Sequence, residues 1–239
     1  MILVIAAEGC RDARTVDYYL QSGRQYLQQD KYDGAAIQFE NALQKEPENW
    51  EAEYYSGITA GQLHRLSQAY RQLSIAISLQ PSFVPARLAF AQLLLADQRT
   101  KEAREQINAA LELDSKNPEA HLLLARAYLA EQDFPHAIEK CEETKALSPQ
   151  QSMVWAVCGF ARISDKQYEL AVPEFRRALE LDSASAENYR NLVGALRLTK
   201  REAEAESILC TGVADHRNSQ DLHLVLTGVT SLTDANNFV

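Results

Sequence analysis

Five histidines (His64, His121, His136, His216 and His223) and four cysteines (Cys10, Cys141, Cys158 and Cys210) are the side chains of this 239-residue chain best suited to holding a metal or acting as nucleophiles. Their spacing points away from both. His136 and Cys141 lie five residues apart on one helical stretch, which is poor geometry for sharing an ion. His64 and His216 have no ligand-like neighbours in sequence, and four scattered cysteines make neither a disulfide framework nor a paired zinc motif. There is no Gly-x-Ser-x-Gly, no His-Glu-x-x-His and no glycine-rich phosphate loop. The expectation is a non-catalytic chain that needs no metal and no cofactor. Nucleic acid is not an expected partner either, because 24 Lys plus Arg face 33 Asp plus Glu, a net charge of -9, and no basic stripe offsets that balance. With 46% hydrophobic and 24% charged residues, only 9 glycines and 7 prolines, the composition is that of a folded protein rather than a disordered one.

The elements that carry these residues repeat. Pro81 and Pro149 stand 34 and 102 residues after Pro47, and Ala35, Ala69, Ala103, Ala137, Ala171 and Ala205 share one phase of the same period. With 34 alanines in 239 residues, six of six at one phase arises by chance in about one sequence in a few thousand. A second small-residue phase holds Ala42, Ala76, Ala110, Thr144, Ala178 and Gly212. A third holds Gly23, Gly57, Ala91, Ala125, Gly159 and Val193. Small side chains at fixed phase predict close approach of helix backbones. Apolar residues at helical spacing between them, such as Leu88, Leu94, Ile107 and Leu111, predict two helices per 34-residue unit, separated by polar turns such as Gln29-Asp30-Lys31.

These residues resemble the tetratricopeptide repeat family. The first unit carries Tyr19, Gly23, Tyr26, Ala35, Phe39 and Pro47 at the signature places, and the fifth carries Trp155, Gly159, Tyr168, Ala171, Phe175 and Ala178. The predicted fold is all-α: an α-α superhelix, or solenoid, of six helix-turn-helix units (16–49, 50–83, 84–117, 118–151, 152–185 and 186–219) with a partial seventh over 220–239. His121 and His223 occupy the phase of Tyr19 and Trp155 and are read as packing residues. Acidic residues at the second position, Asp17, Glu51, Glu119 and Glu187, are read as favouring helix N-termini through the dipole.

The resemblance implies binding of a peptide or partner protein along a concave face made by the first helices. Carried onto the fifth, sixth, ninth and twelfth positions of each unit, it selects Arg24, Tyr54, Tyr55 and Gln92 in the first half of the chain. In the second half it selects Arg126, Phe160, Arg190, Asn191 and Arg197. Leu20, Leu88, Leu95, Leu122 and Leu129 fall at the same positions, where about half are expected to pack between repeats instead. The family's chaperone-tail clamp uses a Lys and an Asn on the first helix; this chain has Leu20 and Arg24, so that function is not predicted.

The termini extend the reading. Residues 1–10, Met-Ile-Leu-Val-Ile-Ala-Ala-Glu-Gly-Cys, resemble the tail of a bacterial lipoprotein signal peptide, with Gly9 before a lipidation cysteine, Cys10. The resemblance implies a lipid-anchored protein of the cell envelope that assembles or localises a complex; the other reading is a plain N-terminus with a free thiol. The seventh unit lacks its second helix, so the chain is expected to be a fragment, an adaptor segment of a longer enzyme or secretion component, or to dock its end on something. A cytoplasmic co-chaperone is the remaining reading. Cys141 and Cys158 are expected to be buried and close enough for a disulfide to remain open as a possibility.

Overall fold

The computed structural model describes residues 14–215, and these hold twelve α-helices and no strand. Numbered in chain order, the odd helices are α1 (Val16–Gln28), α3 (Trp50–Gln62), α5 (Val84–Ala96), α7 (Pro118–Ala130), α9 (Ser152–Ser164) and α11 (Ala186–Leu198). The even ones are α2 (Tyr32–Lys45), α4 (Leu66–Leu79), α6 (Thr100–Leu113), α8 (Phe134–Leu147), α10 (Tyr168–Leu181) and α12 (Glu202–Asp215). Successive odd helices begin 34 residues apart, and so do successive even ones. The partial seventh unit, His216, His223 and Cys10 lie outside the described residues.

Local chemistry sets the helix ends at the same period. Thr15, Asn49, Asn117 and Ser185 each accept, through a side-chain oxygen, the backbone N–H three residues on, which satisfies an orphan donor at the start of α1, α3, α7 and α11. The odd helices all stop in the same way. Lys31, Arg65, Arg99, Asp133, Gln167 and Arg201 each donate a backbone N–H to the carbonyl five residues back. That closure needs a left-handed residue just before the donor. Asp30, His64, Gln98, Gln132, Lys166 and Lys200 supply it, with φ between 55° and 61°. None is glycine, so each turn carries the steric cost of a side chain in that region.

The chain divides into two compact units, Met1–Leu93 and Leu94–Val239, with the boundary inside α5. In the first, α1 packs on α2, α2 on α3 and α3 on α4. Tyr19, Leu20, Ala35, Phe39, Ala42 and Ala52 form one buried cluster, and the Tyr70 hydroxyl donates to the Leu93 carbonyl at 3.2 Å. In the second, each helix from α6 to α12 packs on the next, and α7 and α11 also touch α9. Its core includes Ala125, Ala137, Cys141, Val154 and Cys158 in one cluster and Ala171, Phe175, Leu192, Val193 and Ala205 in another.

The alanine phase is the inner seam: Ala35, Ala69, Ala103, Ala137, Ala171 and Ala205 are at most 1% exposed. The glycine phase explains itself by what faces it. A Cβ added at Gly159 would stand 2.6 Å from the Phe175 ring, one at Gly57 would stand 2.8 Å from Leu73, and one at Gly23 would strike Phe39. Where the fourth repeat carries alanine at this phase, a thiol takes the place of the ring: Ala125 shares its cluster with Cys141.

Two outcomes follow for stability. Ala103→Leu adds the rest of a leucine side chain to a seam with no exposed surface, so the unfolding free energy falls by about 1–3 kcal/mol; a melting temperature equal to the parent's would remove the close contact inferred at this phase. At the left-handed Lys166, urea unfolding is expected to rank Lys166→Gly at or above the parent by up to about 1 kcal/mol and Lys166→Val below it.

Candidate functional site

The face presented by the odd helices is built differently in the two units. In the first unit, Arg24 on α1 reaches to α3, where it donates to Glu51 and lies 5.0 Å from the centre of the Tyr55 ring. Tyr55 stacks on Phe39 at 5.4 Å and meets Tyr54 edge-on at 4.9 Å. Tyr54 in turn meets Phe83, which also contacts Trp50 at 4.6 Å. The α3 side therefore offers a half-buried aromatic wall with a guanidinium fixed against it. Gln92 is exposed on α5.

In the second unit Arg126 is exposed and makes no ion pair within the described residues. Phe160 is half-buried and sets its edge against Phe175 at 5.2 Å. Arg190 is exposed beside Glu187 at 3.5 Å, and Arg197 lies 3.6 Å from Glu202. An exposed pair such as Arg190 with Glu187 is weak and exchangeable at this distance, so the Arg190 cation can turn to a carboxylate or carbonyl.

Several expected positions are closed. Asn191 is 1% exposed, packed inside α11's inner face, and its amide has no hydrogen-bond partner among the described residues; it is not an open groove residue. Leu20, Leu88 and Leu122 are core residues as well, at 6% exposure or less. For the leucines the reason is geometric: the fifth helix position faces inward wherever an aliphatic side chain can fill the seam between repeats, and among the described residues it opens only at Tyr54 and Arg190. Met153, 55% exposed on α9, was not among the expected residues. Its signal was in the sequence: it is an apolar residue at the second position, where Asp17, Glu51, Glu119 and Glu187 stand in other units.

The histidine at the signature place behaves as a packing residue with a polar anchor. His121 Nε2 is 3.0 Å from the Ser115 carbonyl, six residues back. Arg87 and Trp155 make the same contact to Pro81 and Pro149 at 3.0 and 2.9 Å. At that position in the third helix stands Glu53, 8% exposed, with one carboxylate oxygen unpartnered. Burial raises its pKa above 4.5, and Arg71 opposes only part of the shift. His136 is exposed, paired with Asp133 at 2.8 Å and stacked on Tyr128. Among the described residues no three His, Cys, Asp or Glu side chains are grouped for a metal ion, and no helix is long and apolar enough to cross a membrane.

A partly buried ion cluster joins α8, α9 and α10 in the second unit. Lys145 bridges Glu142 at 2.9 Å and Glu174 at 2.8 Å and lies 5.1 Å from the Trp155 ring centre. Arg162 completes it against Glu142 at 2.8 Å. Burial alone would lower the Lys145 pKa; the hydrogen bonds and charges of Glu174 and Glu142 outweigh it and leave the ammonium more firmly protonated.

The tetratricopeptide repeat model matches residues 20–73 and 88–152, the stretches whose paired helices and small-residue seams are described above. The chain belongs to the tetratricopeptide repeat family. Its fold is similar to that of PilW, a widely conserved type IV pilus biogenesis factor (TM-score 0.79, 18% identity, covering 88% of this chain and 98% of that one). It is also similar to PilF of Pseudomonas aeruginosa (TM-score 0.71, 16% identity, 89% and 97%). A third likeness is to the Cut9-Hcn1 hetero-tetramer of the APC/C (TM-score 0.77, 18% identity), where it covers 89% of this chain but spans only 42% of the other. At these identities the likeness is one of fold. No curated protein sequence matches the chain.

The raised Glu53 pKa has a stability consequence. The folded chain holds this proton to higher pH than the unfolded chain, so stability is lost as pH rises from the unfolded pKa through the folded one. Glu53→Gln is expected to melt close to the parent at about pH 4 and above it at about pH 7. Thermal melts with a constant difference across that range would show that the carboxyl is not perturbed.

Proposed function

We propose that this tetratricopeptide protein is a non-catalytic scaffold that holds a peptide or partner protein on the face of its odd helices, and that it serves the assembly or localisation of a bacterial cell-envelope complex. The observation that carries the first part is Arg126: a guanidinium exposed on α7 with no ion pair within the described residues. Structural arginines elsewhere in the fold are tied down, Arg24 to Glu51, Arg104 to Glu131 and Arg162 to Glu142. Arg126, with Arg190 and the half-buried Phe160 of the same unit, suits an extended segment that buries apolar side chains and offers carboxylates or carbonyls to the arginines. In the first unit the Tyr54 and Tyr55 wall suits an aromatic or apolar anchor.

The envelope reading is supported by the Gly9-Cys10 pair behind an apolar stretch and by the likeness to pilus-biogenesis proteins. On this reading Cys10 is acylated and its acyl chains anchor the protein at the membrane surface.

Arg126→Glu combined with Tyr54→Ala is expected to weaken capture of the partner at least tenfold, or about 1.4 kcal/mol, with Arg126→Glu alone keeping the parent's melting temperature and already weakening capture; undiminished capture would remove the odd-helix face as the binding surface. Fatty-acid labelling in a bacterium, beside Cys10→Ser, tests the anchor. Label lost in the variant is the expected result, and absence of label in both chains would contradict it.

A further inference from the structure

Cys141 on α8 and Cys158 on α9 are 1% and 2% exposed and belong to one core cluster, and both are free thiols. They come from different repeats, brought together because the second helix of one repeat packs on the first helix of the next. Cys141 acts directly on the Cys158 thiol within that cluster, so the two side chains are neighbours across the α8–α9 contact. The neighbours on that side are charged: the Lys145 ammonium and the Glu174 carboxylate both act on Cys158 from an ion pair of their own at 2.8 Å. The odd-helix face described above uses none of these groups.

We propose that Cys141 and Cys158 are an oxidisable pair, a disulfide site that clasps the fourth repeat to the fifth. The folded chain keeps the pair reduced for a kinetic reason. Thiol–disulfide exchange needs a thiolate, and the hydrogen bond to Cys141, burial and the nearby Glu174 all hold the Cys158 proton on, against the weaker pull of Lys145. Oxidation therefore waits for a local opening of the α8–α9 contact that admits water and oxidant. In that open state one thiol loses its proton to solvent and its thiolate attacks a sulfur of a low-molecular-weight disulfide. A mixed disulfide forms and one small thiolate leaves. The second protein thiolate then attacks the protein sulfur of the mixed disulfide, forming the Cys141–Cys158 bond and releasing the second small thiol. Two protein thiols have been oxidised and one small disulfide has been reduced to two thiols, the protons given up by the protein being taken up through solvent by the departing thiolates.

The bond closes a short loop across a junction between repeats. Because a solenoid is held together by contacts between neighbours, a cross-link at one junction limits the unfolded ensemble on both sides of it. The oxidised protein thus resists separation of these two repeats, and reduction restores the looser junction.

The test uses the full chain carrying Cys10→Ser and Cys210→Ser, incubated with oxidised glutathione at rising, sub-denaturing urea. Thiols are counted after denaturation, and the digest is mapped by mass spectrometry. The expected result is loss of both thiols together in a monomer, a cross-linked peptide joining Cys141 to Cys158, and a rate at least tenfold higher in urea than without it. The melting temperature should rise by several degrees and return on reduction. A third chain with Cys158→Ser added is expected to accept at most one glutathione and show no such rise. Stable double glutathionylation, cross-linked dimers, or a Cys141–Cys158 bond that leaves the melting temperature at or below the reduced value would overturn the proposal.

Discussion

Everything else in this molecule depends on how closely the two helices of a repeat approach, and that approach is set by complementary volumes at two facing positions. Gly159 lies under Phe175 and Gly23 under Phe39, each glycine leaving the space that its ring fills. Alanine in place of glycine goes with a thiol in place of the ring, as at Ala125 and Cys141. At each of these glycines the small residue leaves the space that the facing side chain needs, which is how native packing density is reached at a close backbone spacing. The fully buried alanine seam then keeps each second helix on its partner.

Function follows from what this packing leaves over. Positions that face the seam are spent on volume, and Leu20, Leu88 and Leu122 are buried there even though ligand-facing phases were assigned to them by resemblance. Positions left open on the odd helices include Gln92, Arg126, Met153 and Arg190, residues whose types the core does not dictate. A scaffold of this kind separates the two demands: one set of phases stabilises, and another is free to recognise.

The period, the helix pairs and the small-residue seams were legible in the sequence, because they are properties of residue type at fixed spacing. The left-handed turns were not, since Asp30, Gln98 or Lys166 carries no sign of φ near 60° when glycine is absent. Neither was the partnering of Arg24 with Glu51, 27 residues away, nor the burial of Asn191. Those depend on which rotamer reaches across a helix contact, which spacing alone does not encode. The nearness of Cys141 and Cys158 was legible as a consequence of helix order. The ion pair beside them, Lys145 with Glu174, was not, because it joins residues of different repeats at no recurring phase.

The complementary-volume claim is most directly tested by a double-mutant cycle at Gly159 and Phe175, with Gly159→Ala, Phe175→Cys and both together measured by urea unfolding. The helix propensity gained by alanine appears on both sides of the cycle and cancels. The account predicts that the added methyl is costly beneath phenylalanine and tolerated beneath a thiol, as at Ala125 and Cys141, with a favourable coupling of about 1–3 kcal/mol in the double variant. Additive effects, with coupling within about 0.5 kcal/mol of zero, would contradict it.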